Sequence, residues 1–394
     1  MHKWPKFGPN EIELAAPNSR SGPPHRVAAT FLRVFPIPVR SLNSDPLALR
    51  FSPQVSAPTG NPGKLTHIDQ ECLDLRAGEL VEVRSAAEVL ATLDEKGELD
   101  SLPFMPEMLQ YCGRQFRVSK RADKTCDTIV KYHARRMYRT VHLEQLRCDG
   151  CGHDGCQAGC LTFWKEAWLK RSEVKPDGVP LVQIRQRKNL NRGDDASQAL
   201  ADLLARASRT IDDQGVRYSC QATELLRASE PLPWWGPGQY LREIRNRNLS
   251  AAMFFRGYCY AAYAMLRRRL RAPRQYPYFG GKLKTTPTER LDLKPGELVQ
   301  VKSRKEIYAT LDEWSKNRGL YYDVEMWRFS GGTFRVLRRV DQIVNEKNGR
   351  MIKLPGGCVV LDGVYCSGER STNRLFCQRN IFSYWREIWL RRVT

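Results

Sequence analysis

The stretch GELVEVRSAAEVLATL, residues Gly78–Leu93, returns 218 residues later as GELVQVKSRKEIYATL, residues Gly296–Leu311. The match continues without a gap for about seventy residues, as far as Cys148 and Cys366. After three inserted residues it resumes with FWKEAWLKR in the first copy and YWREIWLRR in the second. Because the unit occurs only twice and at so long a period, the repeat predicts two similar modules rather than a stacked solenoid.

Each module is predicted to be rich in short strands. Alternating apolar residues predict a strand at Leu80–Arg84, and i, i+3, i+4 spacing predicts a short helix at Ala86–Asp94. Further β-branched and aromatic runs predict strands at Gln115–Ser119, Thr128–Tyr132 and Met137–Leu143. The tryptophans of Phe163–Leu169 have the spacing of a closing amphipathic helix. Short strands at this spacing favour SH3-like or related small barrels.

The chain is therefore predicted to be an α+β protein in which two such modules flank a helical middle domain. The predicted boundaries are a flexible, basic, Pro-rich tail at 1–63, module 1 at 64–175, the middle domain at 176–290 and module 2 at 291–394. In the middle domain, apolar periodicity predicts helices at Ala196–Ile211 and at 239–271.

The apolar segment Leu249–Leu266 within helix 239–271 raises the question of a membrane span. Arg256 and Gly257 interrupt its centre, so a core helix is favoured over an integral span. The basic run Arg267–Arg271 leaves open a contact with an anionic membrane surface.

The balance of 64 Lys and Arg against 43 Asp and Glu gives a net charge of +21, which predicts a polyanionic partner. Nucleic acid is the first expectation, followed by an acidic membrane surface or polysaccharide. The twelve cysteines are unevenly clustered and no apolar stretch opens the sequence. These features favour a cytoplasmic protein that uses cysteine for metal ligation rather than for disulfides.

A Cys/His cluster in module 1 carries the strongest chemical signal. Thiolates and imidazole in a glycine-rich loop suit a structural Zn²⁺, with an iron–sulfur cluster as the alternative. The preferred ligands are Cys148, His153, Cys156 and Cys160, with Cys126 and Cys151 as substitutes for any of them. Asp149 and Asp154 are interpreted as turn formers rather than as catalytic bases.

Module 2 keeps Cys358, Cys366 and Cys377 but has Ser371 or Thr372 near the position of His153. Ile381 lies opposite Cys160 in the alignment. Three cysteines without a histidine form a degenerate site, so module 2 is predicted to be metal-free.

Basic and aromatic residues are interleaved in both modules, a pattern that suits phosphate contact and base stacking. The predicted polyanion-binding residues are Arg114, Arg117, Lys131, His133, Arg135, Arg136, Arg139 and Arg335. The basic cluster Arg185–Lys188 would add a weaker electrostatic contact. The competing interpretation is a solvated charged face without a ligand.

Four acids recur in both copies: Glu88 and Glu306, Asp94 and Asp312, Glu107 and Glu325, and Glu166 and Glu387. An acid present in both copies is interpreted as a fold element, such as a cap, a turn or the partner of an internal arginine like Arg117 or Arg335. Glu166 and Glu387 in particular are expected to pair with a buried arginine.

The phosphate-loop, dinucleotide-binding, zinc-protease and serine-hydrolase signatures are all absent from the sequence. The sequence therefore favours a non-enzymatic, zinc-stabilised protein that binds a polyanion, with nucleic acid as the first expectation. One alternative is a metal-dependent or iron–sulfur redox enzyme that uses the Cys/His cluster directly. The other is a scaffold or membrane-surface subunit that binds other proteins through helix 239–271.

Overall fold

The computed structural model describes residues 73–130, 133–172, 195–233, 236–270, 281–371 and 374–393. The predicted tail at 1–63, the basic cluster Arg185–Lys188 and the candidate Lys131 lie outside the described residues.

Module 1 is built around a five-stranded antiparallel sheet of order β8-β7-β4-β1-β9. Its elements are β1 Leu80–Val83, α1 Ala86–Leu90, β2 Glu98–Leu99, β3 Leu102–Pro103, β4 Gln115–Arg121, β5 Lys124–Cys126, β6 Ala134–Arg136, β7 Thr140–Leu143, β8 Trp164–Lys165 and β9 Leu169–Arg171. The strands predicted at Leu80–Arg84 and Gln115–Ser119 are confirmed, as β1 and β4, with ends that differ by one or two residues. The edge strands β8 and β9 are joined by the single 3₁₀ turn Glu166–Trp168.

Two local predictions for module 1 are wrong. A strand was expected at Thr128–Tyr132, of which residues 131 and 132 lie outside the described part of the chain. At 128–130 the Asp127 carboxylate instead accepts hydrogen bonds from the N–H groups of Ile129 and Val130, at 2.7 and 2.9 Å, so β5 ends in a turn. The expected closing helix is instead strand, 3₁₀ turn and strand, because both tryptophans point into the core of the curled sheet.

The middle segment contributes helices and a hairpin. Its elements are α2 Asp195–Ala207, β10 Arg209–Asp212, β11 Gly215–Tyr218, β12 Glu230–Pro231, α3 Gly238–Arg245 and α4 Ala251–Arg269. Leu200 and Leu204 of α2 are buried in the core of module 1, and β12 pairs with β6.

The predicted core helix at Leu249–Leu266 is not buried as expected, because much of the α4 surface is exposed, including Phe255 at 69%. The helix 239–271 is divided into α3 and α4. Among the described residues, helices are either too short or too polar to cross a membrane.

Module 2 repeats the architecture of module 1. Its elements are β13 Leu298–Val301, α5 Arg304–Tyr308, β14 Lys316–Asn317, β15 Leu320–Tyr321, β16 Thr333–Val344, β17 Met351–Leu361, β18 Trp385–Arg386 and β19 Leu390–Arg392. The sheet order β18-β17-β16-β13-β19 is that of module 1, and Leu298 faces Arg335 as Leu80 faces Arg117. The α+β class is confirmed, while the hydrogen-bonded sheets of the described residues do not close into a barrel.

Three of the four recurring acids are fold elements, as predicted. Glu88 and Glu306 close capping boxes on α1 and α5, and Asp94 and Asp312 accept backbone N–H bonds in equivalent turns. Glu166 lies 2.6 Å from Arg121, and Glu387 lies 2.6 Å from Arg339. The pairing with a buried arginine is therefore confirmed for Glu166, but neither partner is Arg117 or Arg335.

The two copies contact each other reciprocally. We call residues 148–160 the first Cys loop and residues 366–371 with 374–381 the second Cys loop. Gln157 in the first loop donates its N–H to the carbonyl of Gln342, and Gln378 in the second donates to the carbonyl of Lys124. These bonds occupy equivalent positions in the repeat. The first Cys loop therefore packs against the β16–β17 hairpin of module 2, and the second Cys loop packs against the β5–β6 hairpin of module 1.

Candidate metal centre

The fold brings together the side chains of Glu107, Cys148 and His153. Their potential ligand atoms all lie within 4.8 Å of one another, and all three residues are buried. Glu107 belongs to the 3₁₀ helix Pro106–Tyr111, Cys148 follows β7, and His153 ends the 3₁₀ turn Cys151–His153. Two of the three were predicted as ligands, whereas Glu107 was interpreted as a fold element.

Local backbone geometry places His153. Cys148 N–H donates to the Cys160 carbonyl at 2.8 Å and so closes the first Cys loop. Gly150 has a φ of +82°, and a Cβ built there would lie 2.0 Å from the Cys156 carbonyl oxygen. Only glycine satisfies both constraints, so this position turns the chain and directs His153 inward.

The imidazole of His153 is oriented as in many metal sites. Its Nε2 lies 3.2 Å from the backbone carbonyl oxygen of Ser219, which can only accept, so Nε2 carries the proton. In the neutral ring this tautomer leaves the lone pair on Nδ1, which is 3.7 Å from Oε1 of Glu107. Donation of the second ring N–H to a carbonyl is the usual way in which proteins fix a ligating histidine.

The carboxylate of Glu107 has unused bonding capacity. Its Oε1 accepts the Cys148 thiol at 2.8 Å, but its buried Oε2 has no hydrogen-bond partner among the described residues. A buried carboxylate oxygen without a partner is costly unless a cation or donor compensates it. The three side chains therefore fit a divalent metal ion, which would supply that compensation.

The thiol of Cys148 is protonated in this arrangement. Burial, followed by the nearby carboxylate of Glu107, raises its pKa well above the usual range. A bound metal would displace this proton, because the thiolate is the form that ligates. Metal binding at this site is accordingly linked to proton release.

Three further thiols lie around the triad. Cys156, Cys160 and Cys220 line the same cavity of about 260 Å³, together with Cys148 and His153. Cys156 and Cys160 were predicted as ligands, while Cys220 comes from the middle segment and was not. Cys156 Sγ accepts the Val344 N–H at 3.3 Å. Among the described residues, the group of potential ligand atoms within 4.8 Å of one another contains Glu107, Cys148 and His153 and none of these three thiols.

The two substitute ligands lie elsewhere. Cys151 is exposed, and burial raises its pKa to about 11. Cys126 is buried against Cys377 of module 2, outside the cavity of the triad.

The equivalent position in module 2 is saturated by other bonds. Oε1 of Glu325 accepts the Arg370 N–H at 2.6 Å, and Oε2 accepts the Ser367 hydroxyl at 3.1 Å. Cys366 takes the place of Cys148. Both carboxylate oxygens of Glu325 therefore already accept hydrogen bonds from the protein, whereas Oε2 of its counterpart Glu107 accepts none among the described residues.

The predicted polyanion-binding residues have different environments. Arg135 donates to the Ser229 hydroxyl and to the Leu226 carbonyl, so its guanidinium is committed to the interior. His133, Arg139 and Arg335 are exposed, and Arg114, Arg117 and Arg136 are partly exposed. Arg114 and Arg136 each lie over a tyrosine ring, that of Tyr111 or Tyr138 respectively.

Comparison with protein-family models, with curated proteins and with solved structures found no match to this chain. The site is therefore interpreted from its own geometry.

Proposed function

We propose that this chain is a non-enzymatic binding protein for a polyanion, with nucleic acid as the ligand and a zinc ion stabilising the first Cys loop. The proposal includes a cytoplasmic location. The observation that carries it is a set of arginines with no carboxylate within ion-pair distance among the described residues. These arginines are Arg114, Arg117, Arg136, Arg139 and Arg335.

These unpaired arginines contrast with other surface arginines of the same molecule. Arg84 and Arg171 lie 3.0 and 2.6 Å from the carboxylates of Glu88 and Glu79. Positive charge that is not neutralised internally is available to phosphates, and release of counterions from the nucleic acid then drives binding. The exposed ring of Tyr138 beside Arg136 would favour single strands, because a base can stack on it.

Both modules are proposed to be SH3-like. Support comes from the five-strand order and from the single 3₁₀ turn that joins the two edge strands in each copy. A sheet whose edge strands are so joined must curl toward closure. Two modules in one chain would raise the affinity for a repetitive ligand.

Zinc is the metal that we propose. Glutamate, thiolate and histidine together are ligands that Zn²⁺ accepts, whereas iron–sulfur clusters depend largely on several thiolates. The triad offers a single cysteine, which supports zinc over a cluster.

The experiment compares two variants that lose the same charge. In the first, Arg114, Arg117, Arg136 and Arg139 are all replaced by glutamine. In the control, the paired arginines Arg84, Arg171, Arg391 and Arg392 are replaced by glutamine. Binding of single-stranded oligonucleotides is measured at several salt concentrations. For the first variant we expect the slope of log K against log [salt] to fall by about 3, since each phosphate contact contributes about 0.7 to 0.9.

The control variant should keep a slope close to that of the original protein. Equal losses in both variants would mean that bulk charge alone drives binding. Absence of binding to any oligonucleotide at low salt would reject the polyanion proposal.

A second candidate function is metal-dependent catalysis, favoured by the cavity of about 260 Å³ beside the triad. Three protein ligands with one open position are typical of catalytic zinc. The two candidates differ in whether a small ligand reaches the metal. Addition of azide to the Co²⁺-substituted protein should leave its spectrum unchanged if the ion is structural, and should change it if a coordination position is open.

The exposed apolar face of α4 supports the third expectation, a protein partner. Phe255, Tyr258 and Leu266 are between 55% and 69% exposed on this helix. Single exposed apolar residues need no explanation, but a row on one helix can form an interaction surface. Its test is co-purification with the intact chain and with a Phe255→Ser variant.

A further inference from the structure

A second cluster of cysteines lies where the two copies meet. Cys126 ends β5 of module 1, and Cys377 belongs to the second Cys loop. Cys126 and Cys377 line the same small cavity, their side chains interact, and each residue is only 4% exposed. The two residues are 251 positions apart in the chain, so the fold alone creates this pair.

Backbone contacts hold the two sulfurs together. Gln378 donates its N–H to the carbonyl of Lys124 at 3.3 Å, and Arg379 Nη1 lies 3.4 Å from the carbonyl oxygen of Cys126. The same guanidinium donates to the Thr128 hydroxyl at 3.0 Å. Segments on both sides of the pair are therefore anchored, which limits separation of the sulfurs by local motion.

The electrostatic surroundings distinguish the two cysteines. The hydrogen bond from Cys377, together with the guanidinium groups of Arg374 and Arg379, lowers the pKa of Cys126 to about 7. Burial and the neighbouring Cys126 raise the pKa of Cys377 well above its usual range. Cys126 thus has the character of a nucleophilic thiolate and Cys377 that of a protonated resolving thiol.

Access to the pair is restricted by size. A cavity of about 40 Å³ is lined by Cys126, Cys366 and Cys377. One water needs roughly 10 to 15 Å³ of such space, so two or three solvent-sized molecules fit. Hydrogen peroxide has these dimensions, whereas a peptide disulfide such as oxidised glutathione does not.

We propose that Cys126 and Cys377 form a peroxide-sensitive dithiol that is oxidised to a disulfide joining the two copies. The Cys126 thiolate attacks one oxygen of hydrogen peroxide, the O–O bond breaks, and the departing hydroxide takes up a proton to become water. The sulfur of Cys377 then attacks the resulting sulfenic acid. The S–O bond breaks as the S–S bond forms, and the thiol proton leaves with the hydroxide as a second water.

The repeat supplies an internal comparison. In the equivalent contact on the other side of the molecule, Cys156 faces Val344, which replaces Cys126 in the alignment. A dithiol therefore exists at one of the two equivalent contacts. The proposal is independent of the polyanion function and of the metal centre, because neither Cys126 nor Cys377 lines the cavity of the triad.

The experiment uses the full chain, reduced and loaded with zinc. The protein is treated with hydrogen peroxide, remaining thiols are alkylated with N-ethylmaleimide, and peptides are identified by mass spectrometry. We expect a cross-linked peptide that joins Cys126 to Cys377 and that disappears after reduction by dithiothreitol. Oxidised glutathione at equal concentration should produce it at least tenfold more slowly.

Variants identify the partners. Cys126→Ser and Cys377→Ser should each abolish the cross-link, whereas Cys366→Ser, a change in the same cavity, should preserve it. The peptide map of the original protein tests the cross-link on its own, even if a variant folds poorly. Recovery of Cys126 and Cys377 as separately alkylated peptides while other cysteines are oxidised would overturn the proposal, as would a cross-link of Cys126 to Cys366. Equal rates with peroxide and glutathione would overturn its size selectivity.

Discussion

Replacement of Glu107 by glutamine is expected to remove metal-dependent stability while leaving the metal-free protein almost unchanged. In the metal-free protein Oε2 of Glu107 has no hydrogen-bond partner to lose, so the free energy of unfolding should change by less than about 1 kcal/mol. The repeat offers a matched control in Glu325, whose carboxylate accepts bonds from Arg370 and Ser367. Glu325→Gln should cost about 1.5 to 3 kcal/mol, because these are bonds to a charged acceptor.

Zinc should stabilise the two variants by different amounts. With free zinc at a hundred times the dissociation constant, the original protein and Glu325→Gln should each gain about 2.7 kcal/mol. Removal of a residue that only hydrogen-bonds to a metal ligand lowers metal affinity by up to about a hundredfold, and removal of the ligand itself should lower it at least as much. At the same zinc concentration, Glu107→Gln would then gain only about 0.4 kcal/mol.

Urea unfolding followed by tryptophan fluorescence measures these differences, because Trp164 and Trp168 in module 1 and Trp385 and Trp389 in module 2 are fully buried. Each variant is compared after dialysis against EDTA and in excess zinc. A full zinc-dependent gain in Glu107→Gln would show that Glu107 is not a ligand. Loss of the zinc-dependent stabilisation in Glu325→Gln would indicate that the metal binds in module 2 and not at the triad of module 1.

Three further changes test the account. Glu166→Gln should destabilise the protein by about 1 to 3 kcal/mol in urea unfolding, because it removes the charged 2.6 Å partner of the buried Arg121, whose guanidinium keeps Asp123 at 2.8 Å; a cost below about 0.5 kcal/mol would argue against this pair. Burial lowers the pKa of His142 to about 3, so only the unfolded chain takes up a proton at this residue as pH falls from about 6.5 to 4. The free energy of unfolding should therefore decline by about 3 kcal/mol over this range. This part of the decline should be missing in His142→Gln, and an equal pH dependence of stability in the variant and the original protein would contradict the prediction. Gly150→Ala should lower zinc affinity at least tenfold in a competition titration, because its Cβ would meet the Cys156 carbonyl at 2.0 Å; unchanged affinity would mean that this turn does not position His153.

Much of the fold could be predicted because the repeat aligns equivalent residues. Strands β1 and β4 and the roles of Glu88, Asp94 and Glu166 as fold elements all follow from patterns that are present in both copies. The closing segment was mistaken for a helix because Trp164 and Trp168 have helical i, i+4 spacing. The same spacing arises when a 3₁₀ turn joins two short strands and both rings enter one core.

The metal centre could be predicted only in part. Cys148 and His153 stood out because cysteine and histidine are dense in one short loop. Glu107 was assigned to the fold because Glu325 repeats it, yet the two carboxylates have different partners. Cys220 lies in a segment without a counterpart, so no alignment could connect it to the first Cys loop.

Contacts between the copies were beyond the reach of the sequence. The pairing of Cys126 with Cys377 depends on the packing of one copy's hairpin against the other copy's loop. An alignment relates equivalent residues of the copies, and such residues need not touch. The contact follows from tertiary structure alone.

Titration of the metal-free chain with Co²⁺ tests the central claim most directly, because a thiolate ligand gives a charge-transfer absorption that can be followed to its endpoint. We expect one Co²⁺ bound per chain with this band, which should be lost in Cys148→Ser and kept in Cys366→Ser, its counterpart in module 2. Binding that survives in Cys148→Ser, or that is lost in Cys366→Ser, would contradict a metal centre formed by Glu107, Cys148 and His153.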